Sequence, residues 1–121
     1  MNDEQLEQVE KIARQLGGAP SCDGEAMKFS LPAADGLACE FTLPRGLREW
    51  FITLRDGDGR ELVNHWVDHY ALDGESEAEL GREMLLEVVR VMELVAGARF
   101  VTEGDNEQLA ILVDGVSVAL F

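Results

Sequence analysis

Positive charge is what this sequence has least of. Ten Lys and Arg stand against 24 Asp and Glu in 121 residues, a formal net charge of −14. Such a chain repels phosphate backbones and anionic lipid. Its basic residues are scattered, with only Arg45 and Arg48 close together in a loop-like stretch. No nucleic-acid-binding face and no membrane partner is therefore expected. Cysteine is also scarce: Cys22 and Cys39 have no metal-ligand spacing and form no staple framework. No apolar run reaches the roughly 20 residues that cross a bilayer. The start, Met1 to Gln5, is acidic and polar, unlike a secretory signal. A reducing cytoplasm is the expected location. Repeats, low-complexity tracts and Pro/Ser-rich linkers are missing too, so residues 1–121 read as one acidic domain.

What is present suffices for a core, since 46% of the residues are hydrophobic. Leu6, Val9, Ile12, Ala13 and Leu16 recur at helical spacing. Asn2 or Asp3 can cap this amphipathic helix at its start, and Gly17-Gly18 ends it. The period then changes to two. Met27, Phe29 and Leu31 alternate with polar neighbours, as do Leu37, Cys39, Phe41 and Leu43, predicting antiparallel strands joined by a turn over residues 32–36. Cys39 points inward as a small core residue. Residues 50–55 read as a third strand, and Asp56-Gly57-Asp58-Gly59 as a turn into a further segment.

Residues 76–96 read as a long helix. Ser76 and Glu79 have capping-box spacing, and Met84 to Val95 is apolar except for Glu87, Arg90 and Glu93. So wide an apolar surface calls for cover from the sheet and from a second element, either the first helix or another subunit. Residues 99–102 read as another strand. Asp114-Gly115 is a favoured two-residue turn, pairing Val113 with Val116, Ile111 with Val118 and Leu109 with Leu120. The predicted fold is a two-layer α+β domain, with an antiparallel sheet of about six strands, an N-terminal amphipathic helix, a long helix over about 76–96 and a C-terminal hairpin. Val116 to Phe121 carries neither Lys nor Pro, so at a sheet edge nothing in it discourages pairing with a second copy as a homodimer.

The densest functional candidate is the run from Asn64 to Tyr70, which holds both histidines, the single tyrosine and one of the two tryptophans. As a helix it would set His65 and His69 one turn apart, where two imidazoles can share zinc. As a strand it would hold them about 13 Å apart. Its β-rich residue types and the preceding glycine-rich turn favour strand, with helix still open over residues 60–71. Even as a helix it leaves no further Cys or His for a site of three or four ligands, and a third ligand would have to be Asp68 or a distant carboxylate, so no metal and no cofactor is expected. The Asp56–Gly59 run resembles the start of a calcium loop without its closing glutamate, and a hairpin turn explains it. The carboxylates at 73, 75, 77 and 79 and at 103, 105 and 107 read as ordinary loop and helix-start charges. None of the four serines lies in a G-x-S-x-G elbow, and no phosphate-binding glycine loop is present.

From Leu6 to Leu43, the helix ending Gln15-Leu16-Gly17-Gly18-Ala19-Pro20 and the strand pair around Asp35-Gly36-Leu37 resemble the type III secretion chaperones. The resemblance covers about a third of the chain. It implies a small acidic homodimer without enzymatic activity that holds a segment of a secreted protein. It also implies a C-terminal helix, where this sequence reads as a hairpin. Two functions follow as expectations. The leading one is a non-catalytic binder of a protein partner in a chaperone-like or inhibitor-like role, with the acidity serving either solubility alone or a partner with a basic surface. The alternative is a small-ligand site or enzyme whose pocket, between helix and sheet, is lined by Trp50, His65, Trp66, Asp68, His69 and Tyr70, with His65 or His69 as the acid–base group.

Overall fold

In the computed structural model, which describes residues 1–46, 48–70, 73–101 and 109–121, the chain starts with helix α1 (Asp3–Gln15). Asn2 caps it: its side chain accepts from the Gln5 backbone, while the Gln5 side chain accepts from the Asn2 backbone. Strands β1 (Ser21–Cys22), β2 (Ala26–Pro32), β3 (Ala38–Pro44), β4 (Glu49–Arg55) and β5 (Glu61–Asp68) follow, antiparallel and in sequence order across one sheet. Helix α2 (Glu77–Val95) carries the Ser76/Glu79 capping box. Strands β6 (Ala110–Val113) and β7 (Val116–Ala119) close the chain as a separate hairpin, its Asp114-Gly115 turn at positive φ in both residues. The α+β class, both helices and the terminal hairpin match expectation.

Among the described residues the strands divide five and two rather than joining one sheet. Over residues 99–101 there is less than the expected strand: Phe100 bridges Ile111, flanked by backbone bonds from Val101 to Ala110 and from Leu112 to Arg99. Thr102 lies outside the described residues. The hairpin registers as expected, with Val113 opposite Val116 and Ile111 opposite Val118.

One face of the sheet holds the core. Phe29, Leu31, Cys39, Phe41, Trp50 and Ile52 point from it towards α1 and α2, forming a single cluster with Val9, Val88, Val91 and Met92. The aromatics make a ladder across this inner face. Phe29 stacks on Phe41 at 5.0 Å, Phe41 on Trp50 at 5.9 Å, and Trp50 meets the edge of Phe121, also at 5.9 Å. Thus the C-terminal segment helps to cover the sheet. Leu109, Ile111 and Leu120 are buried in the same core. The wide apolar surface of α2 is met within the chain by the sheet, α1 and this segment. Leu86, 70% exposed, is the large α2 side chain left outside.

Gly18 sits where the end of α1 meets β2. A Cβ there would lie 3.0 Å from Leu31 Cδ2, 3.1 Å from the Ala13 carbonyl oxygen and 3.3 Å from that of Ser30. Two of these neighbours are backbone and cannot step aside. Gly18→Ala is expected to lower stability by about 1–3 kcal/mol in a urea melt, and an unchanged midpoint would contradict this packing.

Cys39 is fully buried, and burial pushes its thiol up to about 12. Cys22 is exposed, and both are free. A native thiol titration is expected to label Cys22 alone, with Cys39 appearing only after denaturation.

Candidate functional site

The hairpin β4–β5 carries every candidate residue up to Asp68, and its register decides where each one points. At the turn, the Asp56 carboxylate accepts from the backbone of Asp58 and Arg60, both at 2.9 Å. Both bonds fall on one oxygen, Oδ1, and close the turn that the Asp-Gly-Asp-Gly run forms between the strands. Arg55 lies opposite Glu61, and a bulge between Leu54 and Arg55 then shifts the pairing. Beyond it Trp50 is opposite Val67, Ile52 opposite His65 and Phe51 opposite Trp66. Residues directly opposite share a face, so the two tryptophans lie on opposite sides of the sheet.

Residues 61–68 form a strand, which resolves the helix–strand alternative, although Ala71 lies outside the described residues. On the inner side, Trp50 is fully buried and donates its indole N–H to His69 Nε2 at 3.0 Å. His65 stacks on Phe121 at 4.3 Å, with 15° between the rings. Partial burial lowers the pKa of both histidines, and at His69 the carboxylates of Glu87, Glu83 and Asp68 oppose that shift. Accepting the Trp50 proton requires an unprotonated Nε2, so His69 is neutral with its own proton on Nδ1. That leaves only Nδ1 for any further partner and makes His69 a structural acceptor.

A pH dependence follows. A folded-state pKa below the unfolded value means that the unfolded chain takes up the proton more readily. The contribution of His69 is complete above about 6.5 and is lost as pH falls through its folded value. His69→Gln keeps an acceptor for the indole and removes the titration. Urea melts between neutral pH and pH about 5 should show the wild type losing stability relative to this variant. Parallel curves would refute the coupling.

On the outer side, Trp66 is 56% and Tyr70 77% exposed. Trp66 donates its indole N–H to Glu49 Oε2 at 2.8 Å, and the Tyr70 hydroxyl donates to Asp68 Oδ2 at 3.1 Å. The hydrogen bond and the charge of Asp68 both hold the Tyr70 pKa above its ordinary value. Glu49 and Asp68 are direct cross-strand partners, two carboxylates on one face. Phe51 lies beside them opposite Trp66, and Thr53 donates to Asn64 Oδ1 at 3.2 Å further along.

The structure therefore divides the six candidates by face. Trp50, His65 and His69 serve the inner packing, whereas Trp66, Asp68 and Tyr70 stand on the outer surface. A groove of about 750 Å³ runs between the starts of the two helices past Gln5, Arg48, Leu80 and Arg82, and touches none of the six. Among the described residues no group of three or more His, Cys, Asp or Glu could hold a metal ion, and no helix is long and apolar enough to cross a membrane. Of the acidic runs, Glu75 has its carboxyl pushed up by partial burial and by Glu83 and Glu79, while residues 103, 105 and 107 lie outside the described residues. Residue-type reasoning missed Glu49 and Phe51, whose importance comes from the register, and Phe121, whose aromatic contacts come from the C-terminal return. No family model, curated protein or solved structure matches the chain.

Proposed function

We propose that this protein is a non-catalytic binder of a protein partner, acting through the outer face of β4–β5. The observation that carries the reading is the one-sided construction of the domain. Both helices and the C-terminal segment pack on the inner face, and the outer face keeps two exposed aromatic side chains fixed by carboxylates. Exposed aromatics in fixed positions are typical binding anchors, because little side-chain freedom is lost when they are covered. The net charge of −14 favours a basic partner. A chaperone-like or inhibitor-like role fits these features, and the chaperone variant rests on the resemblance of residues 6–43. A cytoplasmic location belongs to the same proposal and is supported by the two free thiols.

A homodimer would use a different surface. All of β7 is exposed, and Val116 to Phe121 has no charged side chain. It is a stretch where two acidic molecules can approach without opposing charges on the contacting strands. Light scattering is expected to give twice the mass of one chain, reverting to a single chain in Val116→Lys. A wild-type monomer would remove the dimer and leave the partner reading intact.

The partner reading is tested by quantitative capture from lysate of the source cell, comparing wild-type bait with a Trp66→Ala/Tyr70→Ala double variant. A stoichiometric protein bound by the first and lost from the second is expected. Identical capture by both baits would contradict the assigned surface.

A further inference from the structure

Building on that binding surface, we propose that its partner is a basic extended segment, which pairs along the free edge of β5 and seats a lysine or arginine side chain between Glu49 and Asp68, against Trp66 and Tyr70. Glu49 and Asp68 face one another directly across the strands. Like charges in that position are unfavourable, and no described ion pair neutralises either one: Arg48 goes to Glu77 and Arg55 to Glu40. Each carboxylate is held by an aromatic donor, at 2.8 Å from Trp66 and 3.1 Å from Tyr70. The indole and phenol rings thus stand beside the two negative charges and remain largely exposed. A cation placed there is attracted by both carboxylates and by the electron-rich ring faces. An anion or an apolar side chain obtains neither attraction.

The backbone supplies the second half of the site. β5 ends the order of the sheet, and among the described residues no strand pairs with its far side. An added strand would alternate its side chains between the two faces, sending every second one to the side of Trp66 and Asp68. β5 contains no Lys or Arg and carries Glu61 and Asp68 at its ends. The edge therefore favours basic residues on the incoming segment. A second copy of this chain would bring a further −14 to an already acidic surface, and a nucleic acid would bring its phosphates. Charge complementarity selects a basic polypeptide over both.

The probe is a short, end-blocked peptide of alternating Lys and Thr, compared with its Glu-for-Lys counterpart. Backbone and indole N–H signals of the intact protein are followed by nuclear magnetic resonance. The Lys peptide is expected to shift the Trp66 indole and the amides of β5, and the Glu peptide to shift neither. Trp66→Ala should weaken binding about 10-fold, and Glu49→Gln/Asp68→Asn at least as much. The charge-matched control Glu4→Gln/Glu7→Gln on α1 should leave it within about 2-fold. Equal loss in the control pair would reduce the binding to general charge attraction and overturn the seat. So would shifts spread over other surfaces, or no binding at all. If the peptide fails while the Trp66→Ala/Tyr70→Ala bait still loses its lysate partner, the basic-segment inference falls and the partner surface stands. If both fail, the surface itself is wrong.

Discussion

Trp50→Ala is expected to cost about 3–5 kcal/mol, whereas Trp66→Ala should change stability by no more than about 0.5 kcal/mol. The two residues are chemically identical and lie on adjacent strands. They differ in the side of the sheet that they occupy. Trp50 is fully buried, stacks on Phe41, meets the edge of Phe121 and satisfies its indole N–H at His69. Alanine there removes the middle of the aromatic ladder and leaves a cavity that the flanking rings cannot fill. It also strands the lone pair of His69. Trp66 is more than half exposed, and its one described hydrogen bond is to a surface carboxylate. For a domain at the low end of ordinary stability, about 5 kcal/mol, the first change brings the protein near the unfolding threshold. The second should leave the urea midpoint almost in place. Equal losses from the two substitutions would mean that the inner and outer faces are misassigned.

Leu120→Ala is the second large effect, about 2–5 kcal/mol. Leu120 is 1% exposed, although it lies near the end of the sequence beside exposed strand residues. Its backbone N–H donates to the Leu109 carbonyl at 3.0 Å, and its own carbonyl accepts from the Arg90 guanidinium at 2.8 Å. These bonds hold the segment against α2 and carry Phe121 to Trp50 and His65. Val118→Ala, two residues earlier on an exposed strand, should cost less than about 1 kcal/mol. The contrast distinguishes a segment that completes the core from a loosely attached hairpin. If Leu120→Ala melted like the wild type, the inner face would not depend on this C-terminal return.

Much of the fold was legible because the residues involved answer to local rules. Asn2 as a cap, and Ser76 with Glu79 as a capping box, mark helix starts through bonds made within four residues. The alternation from Met27 to Leu31 and from Cys39 to Leu43 specifies strands whose inward residues are buried. The site was less legible, and the bulge is the reason. Pairing Arg55 with Glu61 and counting regularly would set Trp50 opposite Trp66 and place both on the core face. The extra residue on β5 instead sets Trp50 opposite Val67 and turns Trp66 outward. Glu49 and Asp68 become neighbours only through the same shift. The role of Phe121 could not be read locally either, since it depends on how the hairpin returns across α2. Sequence adjacency thus grouped residues 64–70 as one site, while the pleat divides them between two faces.

The central claim is that the outer face of β4–β5 meets a protein partner. Its most direct test is a photo-crosslinking amino acid placed at position 66 and, as a control, at position 7 on the exposed side of α1, with irradiation in the source cell. The account predicts one dominant heteromeric adduct from position 66, to a protein with a basic segment, and none of that adduct from position 7. Adducts of the same kind and yield from both positions, or none from position 66 at normal expression, would contradict it.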